Sequence, residues 1–124
     1  MRRSDIGQTK MHLMAQCAVD EKAVRDNIKR FNGLGLFVSF TEIDIRIESP
    51  LTELKENEQV NAYKKLMEIA MSENKAHSYI VWGYTDTRSW IPGFFPGFGN
   101  ANIFDKNGKP KAAYKALAEM IKGH

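Results

Sequence analysis

The sequence is nearly devoid of cysteine. Cys17 is the only one among 124 residues, so no internal disulfide can form and no cysteine-based metal knuckle is available. A lone thiol without a basic neighbour reads as a small core residue, not a nucleophile. Blocks of like charge are also lacking. Eighteen Lys and Arg are interspersed with fifteen Asp and Glu, for a formal net charge of +3. That reads as a solvated lysine-rich surface, and no nucleic-acid partner is expected. No apolar run approaches a membrane span, and the charged start Met1-Arg2-Arg3-Ser4-Asp5 has no apolar segment behind it, so neither a membrane partner nor a signal peptide is expected. What is present, 43% hydrophobic and 27% charged residues, is ordinary for a globular chain with one modest core.

The richest stretch is Leu36 to Ile47, whose β-branched and aromatic residues predict a buried strand. Glu42 and Asp44 lie near its C-terminal end. Strict alternation puts both carboxylates on the face that carries Val38 and Phe40. Acids on a packed face cost on the order of several kcal/mol unless solvated, paired or used. The pair therefore marks either an active site or a strand end emerging into water with Arg46 as a surface partner. The strand alone leaves both open.

Around it, helix and strand signals alternate. Val24, Ile28 and Phe31 recur at helical spacing after Asp20, a plausible N-cap, with Gly33 as the stop. Glu48-Ser49-Pro50 ends the strand. A second helix is predicted over 58–72, with Tyr63, Leu66, Met67 and Ala70 as its apolar stripe. Ser78 to Gly83 reads as another strand, and Thr85 to Gly108 as a long loop rich in Gly, Pro and aromatics. Pro110 is placed in the first turn of a closing helix whose apolar face is Ala113, Leu117, Met120 and Ile121. Gly7 to His12 reads as the end of a further strand. Three strands, each followed by a helix, predict a parallel α/β arrangement. Three parallel strands leave two exposed edges, whereas a closed barrel needs eight strands and about 250 residues. Residues 1–124 are therefore expected to be a piece of something larger.

Parallel α/β folds bind ligands at the C-terminal ends of their strands. The residues there are His12, then Glu42 and Asp44, then Trp82 with Tyr84, Thr85 and Asp86. Alone, His12 reads as a surface or satisfied core histidine and Trp82 as core packing. On one rim, they fit a polar-substrate site. In the loop from Arg88 to Gly99, Trp90 is assigned to ligand contact, because flat rings stack on the apolar faces of sugars. Phe94, Phe95 and Phe98 stay undecided, since the same composition describes a turn pinned by aromatic packing.

Thr41-Glu42-Ile43-Asp44, Trp82-Gly83-Tyr84-Thr85-Asp86, Ser89-Trp90, Phe104-Asp105 and Pro110-Lys111-Ala112-Ala113-Tyr114 resemble glycoside hydrolase family 10, mainly endo-1,4-β-xylanases. Order, spacing and residue types agree over nearly the whole chain. The resemblance implies a (β/α)8 TIM barrel, with 1–124 as its C-terminal portion, about strands six to eight with their helices. It also implies a retaining mechanism on xylan or xylo-oligosaccharides, without metal or cofactor. Glu42 matches the nucleophile, His12 the histidine that hydrogen-bonds it, and Asp44 the acid that orients the histidine. Trp82 and Trp90 match the tryptophans enclosing the sugar next to the scissile bond. Lys10 occupies a substrate-site position where the family has glutamine, and it brings a charge and donors but no acceptor.

The family's acid/base glutamate follows an Asn on strand four, and no Asn-Glu-Ala or Asn-Glu-Pro occurs in this sequence. Glu48 and Asp86 lack the spacing to replace it. The expectation is that activity requires the N-terminal half of the barrel, that this chain is inactive alone, and that the parent is secreted, since xylan is too large to enter a cell. The alternative is a non-catalytic carbohydrate-binding remnant using the Trp-lined rim.

Overall fold

The computed structural model describes residues 6–15, 17–73 and 76–123. The chain runs β1 (Ile6–Met14), α1 (Glu21–Gly33), β2 (Phe37–Glu48), α2 (Glu53–Ser72), β3 (Ala76–Val81), α3 (Ile91–Phe94), β4 (Phe98–Gly99) and α4 (Ala112–Lys122). Strands β1, β2 and β3 are parallel neighbours in that order, with β2 central. Helices α1 and α2 connect them as crossovers. Among the described residues no helix is long and apolar enough to cross a membrane.

Local chemistry explains the helix ends. Asp20 caps α1 by accepting the Ala23 N–H at 2.9 Å. The helix ends at Gly33 as read, with Leu34 as its C-cap, and the left-handed turn that follows is taken by Gly35, at a φ of +80°. Helix α2 begins at Glu53, five residues before the predicted start, because Thr52 accepts the Lys55 N–H at 3.2 Å. Its first turns are charged and solvated, so they carry no apolar periodicity. Its buried face adds Gln59, Ala62 and Ile69 to the predicted stripe. Pro110 falls outside α4. It is held extended against Phe104 while the Lys111 N–H bonds to the Ile103 carbonyl, and Lys111 becomes the N-cap residue. The predicted loop from Thr85 to Gly108 contains a 3-10 turn (Asp86–Arg88), α3, and β4, which pairs antiparallel with the end of β2.

The strand phase departs from strict alternation. Thr9 pairs with Phe40, but the next residue, Lys10, pairs with Glu42. On the other side of β2, Phe40 pairs with Tyr79 and Ile43 with Val81. One extra residue is therefore accommodated in β2 around Thr41, a β-bulge that reverses which face later side chains occupy. Val38 and Phe40 before it, and Ile43, Ile45 and Ile47 after it, consequently all join one core with Ile28, Tyr63, Leu66 and Ile69. Glu42 and Asp44 thus do not share the face of Val38 and Phe40, as alternation predicted, but lie opposite the helix-packed core. Cys17 also departs from expectation. It is exposed just beyond β1, its N–H turned back onto the Met14 carbonyl, and is not part of the core.

Candidate active site

The parallel register of β1 and β2 builds the site. Lys10 stands beside Glu42 and His12 beside Asp44, on the face opposite the core. The Lys10 ammonium lies 2.8 Å from one Glu42 oxygen, and His12 Nε2 lies 3.7 Å from the other. Asp44 is fully buried, and its Oδ2 receives His12 Nδ1 at 2.9 Å and the Trp90 indole N–H at 2.7 Å. Its Oδ1 is buried without a hydrogen-bond partner. The His12 and Trp90 rings meet edge-on at 5.2 Å.

This geometry assigns directions. With the Nδ1 proton donated to Asp44, the Nε2 of a neutral His12 carries a lone pair toward Glu42, while the imidazolium would donate from both nitrogens. A buried carboxylate with two donors on one oxygen locks both rings, since breaking either contact strips a charge-assisted hydrogen bond. Glu42 is less enclosed, with 15% of its side chain accessible, and Lys10 reaches it from solvent at 63%. An exposed pair of this kind contributes little stability. Its effect is local charge beside the Glu42 carboxylate.

Trp90 arrives from the loop. It sits at the start of α3, where its carbonyl receives the Phe94 N–H, and it packs against Phe94 and Phe95 at ring-centroid distances of 4.9 and 5.7 Å. Trp82 follows β3, with its backbone N–H on the Ile43 carbonyl at 2.8 Å and its side chain half exposed. No hydrogen bond or ring contact joins it to the cluster among the described residues. The structure therefore gathers Lys10, His12, Glu42, Asp44 and Trp90, and leaves Trp82 at the neighbouring strand end.

Two residues make contacts other than those read from the sequence, where Arg46 was a surface partner of the carboxylates and Asp86 a strand-end candidate. Arg46, two residues beyond Asp44, stacks its guanidinium 4.0 Å from the Phe95 ring centroid and 5.3 Å from that of Phe98. Asp86 is bound up in a buried pair. Its carboxylate meets the Lys111 ammonium at 3.1 Å and accepts the Asn102 N–H at 3.0 Å, while Lys111 also donates to the Asn100 carbonyl. Burial pushes the Asp86 carboxyl up against the opposing pull of Lys111 and Asn102, and burial pushes the Lys111 ammonium down against Asp86. No short-range sequence signal links residues 25 positions apart.

Nearly the whole chain is similar to known proteins. Residues 6–120 match glycosyl hydrolase family 10. Endo-1,4-beta-xylanase B of Thermotoga neapolitana is 36% identical over 106 residues, covering 83% of this chain and 30% of that protein. Endo-1,4-beta-xylanase 2 of Aureobasidium pullulans is 33% identical over 102 residues, covering 82% of the chain and 28% of that protein. Xylanase 10B of Thermotoga petrophila, solved in complex with xylobiose, superposes with a TM-score of 0.91 at 33% identity, over 96% of this chain and 36% of that one. Native xylanase 10B of Thermotoga maritima gives 0.88 at 34%, over 94% and 36%. The chain thus spans about a third of the length of the xylanases it matches, and its parallel strands with their helices are part of a TIM barrel. It belongs to glycosyl hydrolase family 10, as a C-terminal part of that family's barrel.

Proposed function

We propose that this chain supplies the nucleophile side of a retaining endo-1,4-β-xylanase that cleaves internal β-1,4-xylosidic bonds of xylan. The observation that carries the reading is Glu42, a partly accessible carboxylate beside a His12 that is itself locked by buried Asp44. In the first displacement a Glu42 oxygen bonds to the anomeric carbon as the bond to the leaving sugar oxygen breaks, and that oxygen takes a proton from a second carboxyl. Water, deprotonated by the same second group, then hydrolyses the glycosyl ester and frees Glu42. Such enzymes hold their two carboxyls about 5–5.5 Å apart. Trp90, fixed on Asp44, and Trp82, half exposed at the neighbouring strand end, are the sugar contacts, with Lys10 beside Glu42 at the position where the family has glutamine.

In this reading the acid/base carboxyl comes from the N-terminal part of the barrel, and the isolated chain is inactive. The whole enzyme works outside the cell, because xylan is too large to enter it. The test is reducing-sugar release from xylan by the chain alone and by the chain mixed with an N-terminal half-barrel of a family-10 enzyme. Activity is expected only in the mixture and only with Glu42 intact. An inactive mixture, or one whose activity survives Glu42→Gln, defeats the proposal. The exposed Trp82 favours a second reading, a binding remnant that holds xylan without cleaving it. Capture on insoluble xylan that is lost in Trp82→Ala, with no activity in the mixture, would select it.

A further inference from the structure

We propose that Arg46 is a positioning residue, whose guanidinium stack on Phe95 holds the aromatic segment 90–98 against β2 and so fixes the Trp90 indole on Asp44. The inference deepens the sugar-contact reading of Trp90, and its functional consequence rests on that reading.

Three attachments run along β2. At Asp44, the carboxylate receives the Trp90 indole N–H at 2.7 Å. At Ile47 and Glu48, β4 pairs through Gly99 and Phe98, and the Ser49 N–H bonds to the Gly97 carbonyl at 2.7 Å. Between them stands Arg46, on the same face as Asp44 because strand side chains two apart share a face. Its guanidinium carbon lies 4.0 Å from the Phe95 ring centroid, and the Phe95 ring lies 5.7 Å from that of Trp90. Phe98 closes the far side, 5.3 Å from Arg46 and 6.4 Å from Phe95.

The arrangement is not explained by hydrogen bonding of the guanidinium nitrogen nearest the stem. Arg46 Nε is buried without a hydrogen-bond partner. Desolvating a donor in that way costs free energy, and the cation over the ring faces offsets it. A planar guanidinium stacks on a ring face, which an ammonium cannot do in the same way. Without the stack, the segment keeps its β4 end and the buried Ile91, but the Phe95 ring that packs on Trp90 loses its cation contact with β2. The indole then leaves Asp44 more often, and the platform against the His12 ring loosens.

The test uses the 124-residue chain and needs no substrate. Its two indole N–H signals are assigned in nitrogen-15 NMR spectra with Trp82→Phe, and their exchange with solvent is measured in Arg46→Met, Arg46→Lys and Phe95→Leu. The expected result is that exchange at Trp90 accelerates roughly fivefold to thirtyfold in Arg46→Met and Phe95→Leu, the span from a half-exposed to a desolvated cation–π contact, and by a smaller factor in Arg46→Lys, while Trp82 is unchanged. Phe95→Leu keeps Arg46 and removes the ring it stacks on, so it reads the same device if the Arg46 variants fold poorly. The proposal is overturned if Trp90 exchange stays at the wild-type rate, if Arg46→Lys restores that rate, or if Trp82 accelerates equally. None of these outcomes bears on the Glu42 assay, so the two readings fail separately.

Discussion

Replacing Lys111 by methionine should destabilise the fold far more than replacing Lys111 and Asp86 together. The two side chains are only 13% and 8% accessible, and the ammonium meets both carboxylate oxygens, at 3.1 and 3.4 Å. Lys111→Met keeps the stem but strands a buried carboxylate with the Asn102 N–H as its remaining donor. Breaking one side of a buried pair costs about 3–5 kcal/mol, and the residual accessibility favours the lower end, about 3 kcal/mol. For a chain of this size that is a fall in Tm of roughly 12 °C. Asp86→Asn with Lys111→Met retains an acceptor for Asn102 and removes both charges. What is left is chiefly the lost donation to the Asn100 carbonyl, about 1 kcal/mol.

The pH dependence follows from the directions of the shifts. Burial raises Asp86, so the folded state binds its proton more tightly than the unfolded state does. Its contribution to stability is therefore full below the ordinary carboxylate range and is lost as pH rises through the raised value. Without Lys111 opposing burial, that rise grows, so the Lys111→Met deficit should shrink as pH falls from about 7 toward 4. Lys111 is lowered by burial, so its own contribution is lost as pH falls through the lowered value, and the single Asp86→Asn variant, which keeps Lys111, shows that contribution separately. The assay is thermal and urea unfolding by circular dichroism across that range for wild type, both single variants and the double variant. A Lys111→Met deficit below about 1 kcal/mol, a double variant equal to the sum of the singles, or a deficit flat with pH would refute the reasoning.

Other outcomes follow from single contacts. Gly83→Ala should cost about 1–2 kcal/mol or more in urea unfolding, because Gly83 holds a φ of +83° and an added Cβ would sit 3.2 Å from Asn102 Nδ2. Ile45→Ala, at a fully buried position of β2, should cost about 2–5 kcal/mol, and a value under 1 would show that the core closes around the cavity. Asp44→Asn weakens two charge-assisted contacts at once, so a loss of about 2 kcal/mol is expected together with a moved Trp90 indole N–H signal. An unmoved signal would separate Trp90 from Asp44 in solution.

How much of this was readable in advance depends on the range of the interaction. Asp20 and its helix, the apolar stripe of α2 and the strand character of β2 are written locally, in caps, a 3.6-residue period and β-branched runs. The family was legible as well, because Thr41 to Asp44, Trp82 to Asp86 and Ser89-Trp90 are short segments whose spacing carries its pattern. Segment 91–99 was legible only as punctuation, since a four-residue helix and a two-residue strand are too short for a period. The first turns of α2 were missed because charged, solvated residues carry no apolar stripe.

The sequence by itself determined the order of elements, the chemical groups available at the strand ends and the family to which they point. Tertiary structure alone decided which of those groups meet. One additional residue at Thr41, invisible to a period of two, turned Glu42 and Asp44 away from the core and toward Lys10 and His12. The same long-range packing seated Arg46 on Phe95 and buried Asp86 with Lys111. Pairing register and the closure of distant segments are properties of the folded chain, fixed by which surfaces exclude water together, and no local pattern encodes them.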